Sequence, residues 1–462
     1  MISPVIKKSS LDRNILKNYR PVSNILFLSK VLEKVVATQL KMHIQVNKLD
    51  EVYQSAYKSN CSTETALLKV KSDVLNAVDR GEVVFIVLLD LSAAFDTVDH
   101  NLLLKCLHDN FGVTGTVLEW FASYLESRTS YVNINGVSSD QSRLIYGVPQ
   151  GSVLGPLLYV MYTQPMGSIM RNHKVNFNSY ADDTQLYVSL NPNIPGEAEL
   201  ALKKLQDCIS DIMIWMNLNK LKLNNDKTEF FIAGTKQSLQ KLPPLQLEVG
   251  NCHISPSSEI RNLGIVFDSE FKMIKQINSL VSSCNYHLRN LFRIGRYLDK
   301  ETRHSVVRAV LLSRFDYGNA LLYGATSKDL NRLQSLQNRC AKFIFSAARL
   351  DSPKPLLRAL HWLPIRERIH FKLCLYVYKC MNNAAPAYLS NMLQRKTTPL
   401  SGPVTRSAMD GTLLLTSSSK KRVGEGAFSI AGPVLWNSLP SHIRNSKSVA
   451  LFKKQLKTYL FN

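Results

Sequence analysis

Two short stretches decide the fold of this chain: residues 83–90 read VVFIVLLD, and residues 180–183 read YADD. The first is a continuous apolar run, rich in β-branched residues, with the length of a buried strand, and it ends on a carboxylate. The second places two carboxylates at the tip of a hairpin predicted over residues 177–188. Carboxylates that meet in space repel each other unless a cation lies between them. Together the two stretches predict an acidic site suited to a hard divalent cation.

The surrounding segments predict a mixed chain of helices and strands. Helical spacing of apolar residues begins at Ser29 and again at residue 64, where it ends near Gly81. Asp99 is a predicted helix N-cap, and residues 135–136, Asn-Gly, predict a hairpin turn between strands at 131–134 and 141–146. Further helices are predicted at 117–125, 154–162 and 202–218, a strand at 227–232, and a mostly helical region over 271–395.

Positive charge is concentrated in the C-terminal part of the chain. The 57 Lys+Arg and 35 Asp+Glu give a net charge of +22. Residues 1–270 hold 26 basic and 27 acidic side chains, so the whole excess lies C-terminal to the acidic stretches. Such an excess predicts a polyanionic partner, with nucleic acid favoured over an acidic membrane surface. A solvated basic surface that only aids solubility is the alternative.

Cysteine spacing and hydropathy argue against several other classes of protein. The eight cysteines are scattered without a Cys-x-x-Cys motif, which suits a reducing compartment. Cys374 and Cys380 lie near His361 and His370, but this spacing is a weak zinc signal. Residues 1–8 lack the apolar core of a signal peptide, and the longest apolar run, 83–89, is too short for a membrane span. A soluble intracellular protein is therefore expected.

Seven short motifs occur in the order of one known family. They read NYRPVS (18–23), YQSAY (53–57) with STE (62–64), DLSAAFD (90–96), GVPQGS (147–152), YADD (180–183), NDKT (225–228) and LG (263–264). In this series, over about residues 10–270, the chain resembles the reverse transcriptase of non-LTR (LINE-type) retrotransposons. Residues 432–440, GPVLWNSLP, resemble tails found in the jockey-, CR1- and L2-like branches.

The resemblance implies an α+β right-hand polymerase with fingers, palm and thumb, and with an antiparallel palm sheet. The expected divisions are an N-terminal part of the fingers (1–80), a palm (81–270) with an inserted fingers segment at about 100–146, a helical, basic, thumb-like region (271–395), a linker (396–425) and a small C-terminal module (426–462). Elements of this family usually encode an apurinic-type endonuclease upstream. Nothing in the sequence resembles one, so we expect a truncated element or its 3′ part.

By resemblance, three carboxylates form the catalytic centre. Asp90, Asp182 and Asp183 are expected to hold two Mg²⁺ ions, for which Mn²⁺ can substitute, while a primer 3′-hydroxyl attacks the α-phosphate of a dNTP. Lys227 resembles the lysine near the pyrophosphate and is a candidate general acid. Taken singly, each Asp could equally be a cap or turn residue and Lys227 a plain surface lysine, but their place in the motif series favours the catalytic interpretation.

The same resemblance assigns residues to the nucleotide and the primer. Phe95 stands in the steric-gate position, where a ring would collide with a ribose 2′-hydroxyl, unless it is an ordinary core aromatic. Arg20 and Lys58 are candidate triphosphate contacts; Lys58 stands where the family often has Arg, so the charge is kept but the planar fork is lost. Further candidates are Leu91 for substrate binding, Gln150 and Gly151 in the loop beside the incoming base pair, and Leu263 and Gly264 in the primer-grip turn.

The expected activity is RNA-directed DNA synthesis from a DNA primer, with RNA template, RNA–DNA hybrid and dNTP as partners. Cations alternate with aromatic residues at helical spacing in residues 286–297, which suits the phosphate backbone of a hybrid. The resemblance also implies a nuclear location. Two alternatives remain: a catalytically silent nucleic-acid-binding relic, and an RNA-dependent RNA polymerase, which Phe95 disfavours. A mature intron-type or retron enzyme is a weaker alternative.

Overall fold

The fold was determined as a computed structural model that describes residues 1–91, 95–396, 413–416, 419 and 423–461. Most of the predicted linker, 396–425, lies outside these residues, as do residues 92–94 of the DLSAAFD motif. Among the described residues, no helix combines the length and the apolar character needed to cross a bilayer.

Strands and helices alternate along the N-terminal part, and helices follow from residue 274 onward. The strands are β1 (Ile2–Ile6), β2 (Tyr19–Ser23), β3 (Val83–Leu89), β4 (Thr129–Ser130), β5 (Asn133–Ile134), β6 (Val137–Ser138), β7 (Ser142–Arg143), β8 (Asn176–Tyr180), β9 (Asp183–Leu190), β10 (Glu229–Ala233), β11 (Leu247–Val249), β12 (Cys252–Ile254), β13 (Glu259–Asn262) and β14 (Ile265–Asp268).

The α-helices are α1 (Phe27–Val46), α2 (Thr63–Arg80), α3 (His100–Phe111), α4 (Gly115–Leu125), α5 (Gly155–Thr163), α6 (Met166–Asn172), α7 (Glu197–Leu218), α8 (Lys236–Leu239), α9 (Ile274–Ile294), α10 (Lys300–Val307), α11 (Ser313–Asp316), α12 (Ser327–Phe345), α13 (Pro353–Ala359), α14 (Ile365–Met381), α15 (Ala387–Ser390), α16 (Phe428–Asn437), α17 (Ser441–Arg444) and α18 (Val449–Phe461). Short 3₁₀ turns cover Leu16–Asn18, Asn225–Lys227, Gly295–Tyr297, Asn319–Leu322 and Gly424–Gly426, and a π-helical turn covers Arg308–Leu312.

The central feature is a four-stranded antiparallel sheet in the order β10-β3-β9-β8. Strand β3 is apolar throughout because both of its faces are covered. Val83, Phe85 and Val87 point into a core shared with α1 and α3–α7. Val84 and Ile86 point into a second core, formed with α2 and the C-terminal helices. The predicted α+β class with an antiparallel palm sheet is confirmed.

Local capping explains where the flanking helices begin and end. The Ser62 side chain accepts a hydrogen bond from the backbone N–H of Thr65 in a capping box, and Gly81 ends α2 with a φ of 94°. The predicted cap at Asp99 is confirmed, since its carboxylate accepts from the N–H groups of Asn101 and Leu102. These caps fix both helices that flank strand β3 and the loop after it.

One predicted strand pairing is wrong. The turn at Asn135 and Gly136 forms as expected, with φ values of 50° and 87°, but it joins β5 to β6 rather than residues 131–134 to 141–146. A two-residue turn pairs the residues immediately beside it, so β6 must begin at Val137. Strand β7 instead pairs with β4.

The C-terminal segment packs into the core of the protein. Phe452 on α18 stacks on Tyr378 of α14 with 4.2 Å between ring centroids, and Trp436 on α16 lies beside both. These rings belong to the same apolar core as α2 and the face of β3 that carries Val84 and Ile86. Helix α16 packs on α2, which in turn packs on β3, the strand that Asp90 directly follows.

Truncating Phe452 tests this integration. Phe452 is fully buried, so Phe452→Ala should lower the free energy of unfolding by about 3–5 kcal/mol through lost burial and a residual cavity. Denaturant unfolding of the whole chain measures the change. Tyr459→Ala on the same helix is the control, since Tyr459 is 41% exposed and its removal should have little effect. Equal stability of Phe452→Ala and wild type would contradict the packing.

Candidate active site

Strand pairing brings the two acidic stretches together. In the antiparallel pair β3–β9, Leu89 lies opposite Thr184. Extending this register by one residue sets Asp90 opposite Asp183, and facing residues in such a pair have Cα atoms about 4.5–5.5 Å apart. Carboxylates separated by about 90 residues of chain therefore meet where the two inner strands of the sheet end and begin.

Asp182 lies in the tight turn beside this pair. Tyr180 pairs with Asp183, so Ala181 and Asp182 alone form the hairpin tip, and Asp183 belongs to the strand rather than to the tip as predicted. Ala181 has a φ of 58°, the positive φ that a two-residue hairpin requires at its first central position. The turn therefore places Asp182 and Asp183 at the same end of the sheet.

The electrostatics show that the three carboxylates interact. Burial, followed by repulsion from Asp182 and Asp90, raises the pKa of Asp183 to about 6, against a lowering effect of Lys227. Burial also raises the pKa of Asp182, and the charge of Asp90 raises it further, while Lys227 and Arg20 lower it. The site thus holds excess negative charge that a cation would stabilise.

Lys227 contacts this acidic group directly. Its Nζ lies 2.7 Å from Oδ2 of Asp90, and its side chain is 65% exposed. The preceding segment crosses the end of β3, where the N–H of Asn224 donates to the carbonyl of Asp90 at 2.9 Å and the Asn224 amide lies 3.4 Å from Oδ2 of Asp90. An accessible ammonium is therefore held beside the carboxylates.

The donor set fits a hard divalent cation in its chemistry. All three candidate ligands supply carboxylate oxygens, which Mg²⁺ prefers, and the like-charge repulsion at Asp183 is what a bound cation relieves. In the described part of the chain, no three His, Cys, Asp or Glu side chains are arranged as a ready metal site. Cation binding would accordingly require the carboxylate side chains to adjust. The exposed Lys227 side chain can release Asp90 for this purpose.

Phe95 packs on a buried aromatic residue next to the site. Its ring stacks on Tyr159 at 4.7 Å between centroids. Tyr159 is itself buried, and burial, followed by the charges of Asp182 and Asp90, raises its pKa well above the usual value. The Phe95 carbonyl accepts a hydrogen bond from Val148 at 2.8 Å. Phe95 is thus placed close to the carboxylates, on the loop between β3 and α3.

The loop that contains Gln150 and Gly151 is held by close backbone contacts. Gln150 donates to the Asp96 carboxylate at 3.1 Å, and its carbonyl accepts from the N–H of Ser23 at 2.8 Å. Gly151 has a φ of 111°, and a Cβ there would lie 2.8 Å from the carbonyl oxygen of Ser23. Glycine is required because strand β2 approaches so closely.

The two candidate triphosphate contacts are placed differently. Arg20 lies exposed on β2, near enough to the acidic group for its charge to lower the pKa of Asp182. Lys58 instead forms an ion pair with Asp50 at 3.1 Å and donates to the carbonyl of Glu51 at 2.6 Å. Lys58 would have to leave these partners to reach a substrate.

A cleft of about 480 Å³ joins the carboxylates to the predicted primer-grip turn. Asp90, Asp183, Lys227 and Leu263 line it together. Leu263 and Gly264 form the turn between β13 and β14 with φ values of 43° and 83°, and the Tyr317 hydroxyl donates to the Leu263 carbonyl at 2.6 Å. Leu91, the remaining candidate, is buried and bridges to Leu223; it does not line this cleft but a small pocket beside Ala181 and Thr184.

The family model described as "Reverse transcriptase (RNA-dependent DNA polymerase)" matches residues 6–267. The chain belongs to the reverse transcriptase family. The matched span contains each predicted site residue from Arg20 to Gly264, and the resemblance to non-LTR enzymes is confirmed by the relatives that follow.

Relatives of this reverse transcriptase chain come from mobile elements of Drosophila melanogaster. It is 27% identical to the "Probable RNA-directed DNA polymerase from transposon BS" over 76% of the chain and 39% of that relative. It is 24% identical to the corresponding protein of the X-element (71% and 35%) and to that of the mobile element jockey (74% and 37%). The chain thus spans less than two fifths of the length of these relatives.

Solved structures similar to this reverse transcriptase chain include two polymerases. Apo telomerase from Candida tropicalis, truncated from its C-terminal domain, matches 55% of the chain and 51% of its own at 16% identity, with a TM-score of 0.38. The RNA-dependent RNA polymerase of a human picobirnavirus matches 71% and 55% at 14% identity, with a TM-score of 0.35.

Sequence reasoning missed two polar residues that hold the segments with the candidate carboxylates. Asn224 binds Asp90 from a segment more than 130 residues away. Gln54 binds the backbone of Ala181 in the Asp182 turn. The only signal was their position inside or next to two of the seven motifs, because local periodicity carries no information about such distant pairs.

Replacing Asp183 by Asn tests whether burial and the neighbouring carboxylates disfavour the charge on Asp183. The pKa of Asp183 is higher in the folded protein than its usual 3.8, so its ionisation destabilises the fold as the pH rises towards about 6. Metal-free Asp183→Asn should exceed wild type in stability by up to about 1 kcal/mol at neutral pH, since the Asp183 carboxylate is only partly withdrawn from solvent, which screens its charge, and the difference should vanish near pH 4.

Urea unfolding in chelator at both pH values measures this difference. Asp140→Asn, at an exposed loop residue, is the control and should match wild type at each pH. An Asp183→Asn variant that is less stable than wild type at neutral pH would contradict the proposed charge repulsion.

Proposed function

We propose that this chain catalyses RNA-directed DNA synthesis by two-metal phosphoryl transfer. The observation that carries the proposal is the register of β3 and β9, which brings Asp90 beside Asp183 with Lys227 in contact. Within a chain of the reverse transcriptase family, these are the groups that the chemistry needs. RNA template, DNA primer and dNTP are the proposed partners.

Each proposed catalytic group has a defined task. Asp90, Asp182 and Asp183 would hold two Mg²⁺ ions, or Mn²⁺ in their place, through carboxylate oxygens. Such ions, when bound, favour the attacking hydroxylate and neutralise charge on the leaving group. The Lys227 ammonium, exposed and 2.7 Å from Asp90, can turn towards the substrate and donate a proton to the departing pyrophosphate.

The surrounding residues would bind and orient the substrates. Arg20 lies near the acidic group and would contact the triphosphate, with Lys58 joining after release from Asp50. Gln150 and Gly151 would lie beside the incoming base pair on their fixed loop. Leu263 and Gly264, across the cleft from Asp183, would hold the primer end. Leu91, which is buried, would support the nucleotide site by packing.

An exposed stripe on α9 and the turn after it would bind the hybrid. Tyr286, Arg289, Arg293 and Tyr297 recur at spacings of three or four residues and are all exposed. Such a stripe of cations and rings suits a phosphate backbone recognised by shape. We assign residues 1–80 to the fingers, 81–270 to the palm with its inserted segment, 271–395 to the thumb-like region and 426–462 to the C-terminal module. A nuclear location follows from the same proposal.

Primer extension on an RNA template tests the proposal. Wild-type protein should extend a DNA primer with dNTP in Mg²⁺ or Mn²⁺, while Asp182→Asn and Asp183→Asn should lose activity by about 10³-fold or more, because each removes a carboxylate that would hold the cations opposing the developing negative charge. Hybrid binding by both variants, measured by fluorescence anisotropy, should stay near the wild-type value. A chain that binds hybrid but extends nothing would be the silent relic instead.

Phe95→Val tests the steric gate. The smaller side chain leaves room for a ribose 2′-hydroxyl, so the ratio of kcat/KM for dNTP to that for NTP should fall by about 10–100-fold. Phe121→Leu, in the same core but away from the carboxylates, is the control and should leave this ratio unchanged. If both substrates lose activity equally in Phe95→Val, Phe95 is only a packing residue.

A further inference from the structure

Gln54 lies on a segment that is fastened alongside the catalytic hairpin. The Ser179 N–H donates to the Tyr53 carbonyl at 2.8 Å, and the Ser55 N–H donates to the Ser179 carbonyl at 2.8 Å. These bonds form a parallel bridge between Gln54 and Ser179, one strand residue before Tyr180. The Gln54 side chain is 5% exposed and points at the turn beyond.

The Gln54 amide pairs with both backbone groups of Ala181. Its Oε1 accepts from the Ala181 N–H at 3.0 Å, and its Nε2 donates to the Ala181 carbonyl at 3.3 Å. The same Oε1 accepts from the N–H of Ala56 at 2.9 Å, which holds the amide in place. One side chain therefore replaces the ladder partners that a hairpin tip cannot have.

The Ala181 backbone needs such a partner for two physical reasons. Ala181 is buried, and a buried N–H or C=O without a hydrogen-bond partner destabilises the fold. Its φ of 58° is also a left-handed conformation that is unfavourable for an L-residue. Without Gln54, both costs favour a different turn, and Asp182 follows Ala181 directly in the chain.

Open space behind Gln54 would allow the turn to move. A cavity of about 340 Å³ lies between α1, α5 and the start of α15, and Gln54 lines it together with Tyr57. Gln54 also lines the small pocket that contains Ala181 and Thr184. The amide thus stands between the catalytic turn and a space into which the turn could relax.

We propose that Gln54 is a positioning residue of the polymerase site: its amide fixes the Ala181 backbone and so orients Asp182 and Asp183 for metal binding. The inference rests on the proposed function. Gln54 itself touches no reacting atom. Its loss should therefore lower the rate of the chemical step and weaken metal binding while leaving hybrid affinity unchanged.

The test replaces the amide by an apolar side chain of similar length. Gln54→Met should lower kcat for single-nucleotide addition by about 10–100-fold, as expected when reacting groups shift by about 1 Å, with KM for dNTP and hybrid affinity within about threefold of wild type. Mn²⁺ binding, measured by electron paramagnetic resonance of the free ion, should weaken at least about threefold, since ligand geometry sets affinity.

Two further variants separate positioning from general stability. Gln45→Met makes the same change in the wall of the same cavity and should leave kcat and Mn²⁺ binding at wild-type values. Gln54→Glu can both donate and accept only when protonated, as the amide does. Its activity relative to wild type should therefore rise as the pH falls, a signature that a packing role would not produce.

The outcomes are distinct. A Gln54→Met variant with wild-type kcat and Mn²⁺ affinity overturns the inference, as does one that loses hybrid affinity in the same proportion as kcat. If the wild-type chain extends no primer, the proposed function fails instead. Mn²⁺ binding by Gln54→Met against wild type would then still decide whether Gln54 orients the carboxylates.

Discussion

The pairing of β3 with β9 forces like charges together, and the rest of the site depends on it. The register that places Leu89 opposite Thr184 leaves Asp90 beside Asp183, where burial, followed by the charges of Asp182 and Asp90, raises the pKa of Asp183. Burial of β3 on both faces fixes that register, because a slip of one residue would exchange its two sets of core contacts. Hydrophobic packing thus holds the carboxylates where electrostatics alone would separate them.

The neighbouring segments restrain this acidic edge from several directions. Asn224 and Lys227 contact Asp90 from one side, and Gln54 holds the Ala181 backbone from another. The loop with Gly151 is locked against β2, which carries Arg20. The C-terminal helices, including α18, share a core with the face of β3 that carries Val84 and Ile86, and so they also help to hold β3 in place. A cation could bind here with limited rearrangement of the backbone.

Much of this arrangement could be predicted because it depends on local patterns and on motif order. The apolar run of β3, the cap at Asp99 and the turn at Asn135 each follow from residues close in sequence. The strand that pairs with β5 across this turn could not be predicted, since β6 is only two residues long and carries little hydrophobic signal. The Gln54 contact with Ala181 was equally hidden, because a hydrogen bond across more than 120 residues leaves no periodic trace. The ion pair between Lys58 and Asp50 was not predicted either, because it lies in an irregular segment without helical or strand periodicity.

The most direct test is to count the Mn²⁺ ions bound per chain in the presence of hybrid and a non-reactive dNTP analogue, comparing wild type with Asp90→Asn. If Asp90 and the Asp182 turn hold the ions jointly, wild type should bind two with high affinity, and Asp90→Asn should lose at least one of them. Identical binding by the two proteins would show that these carboxylates do not share metal ions, and the account would fail.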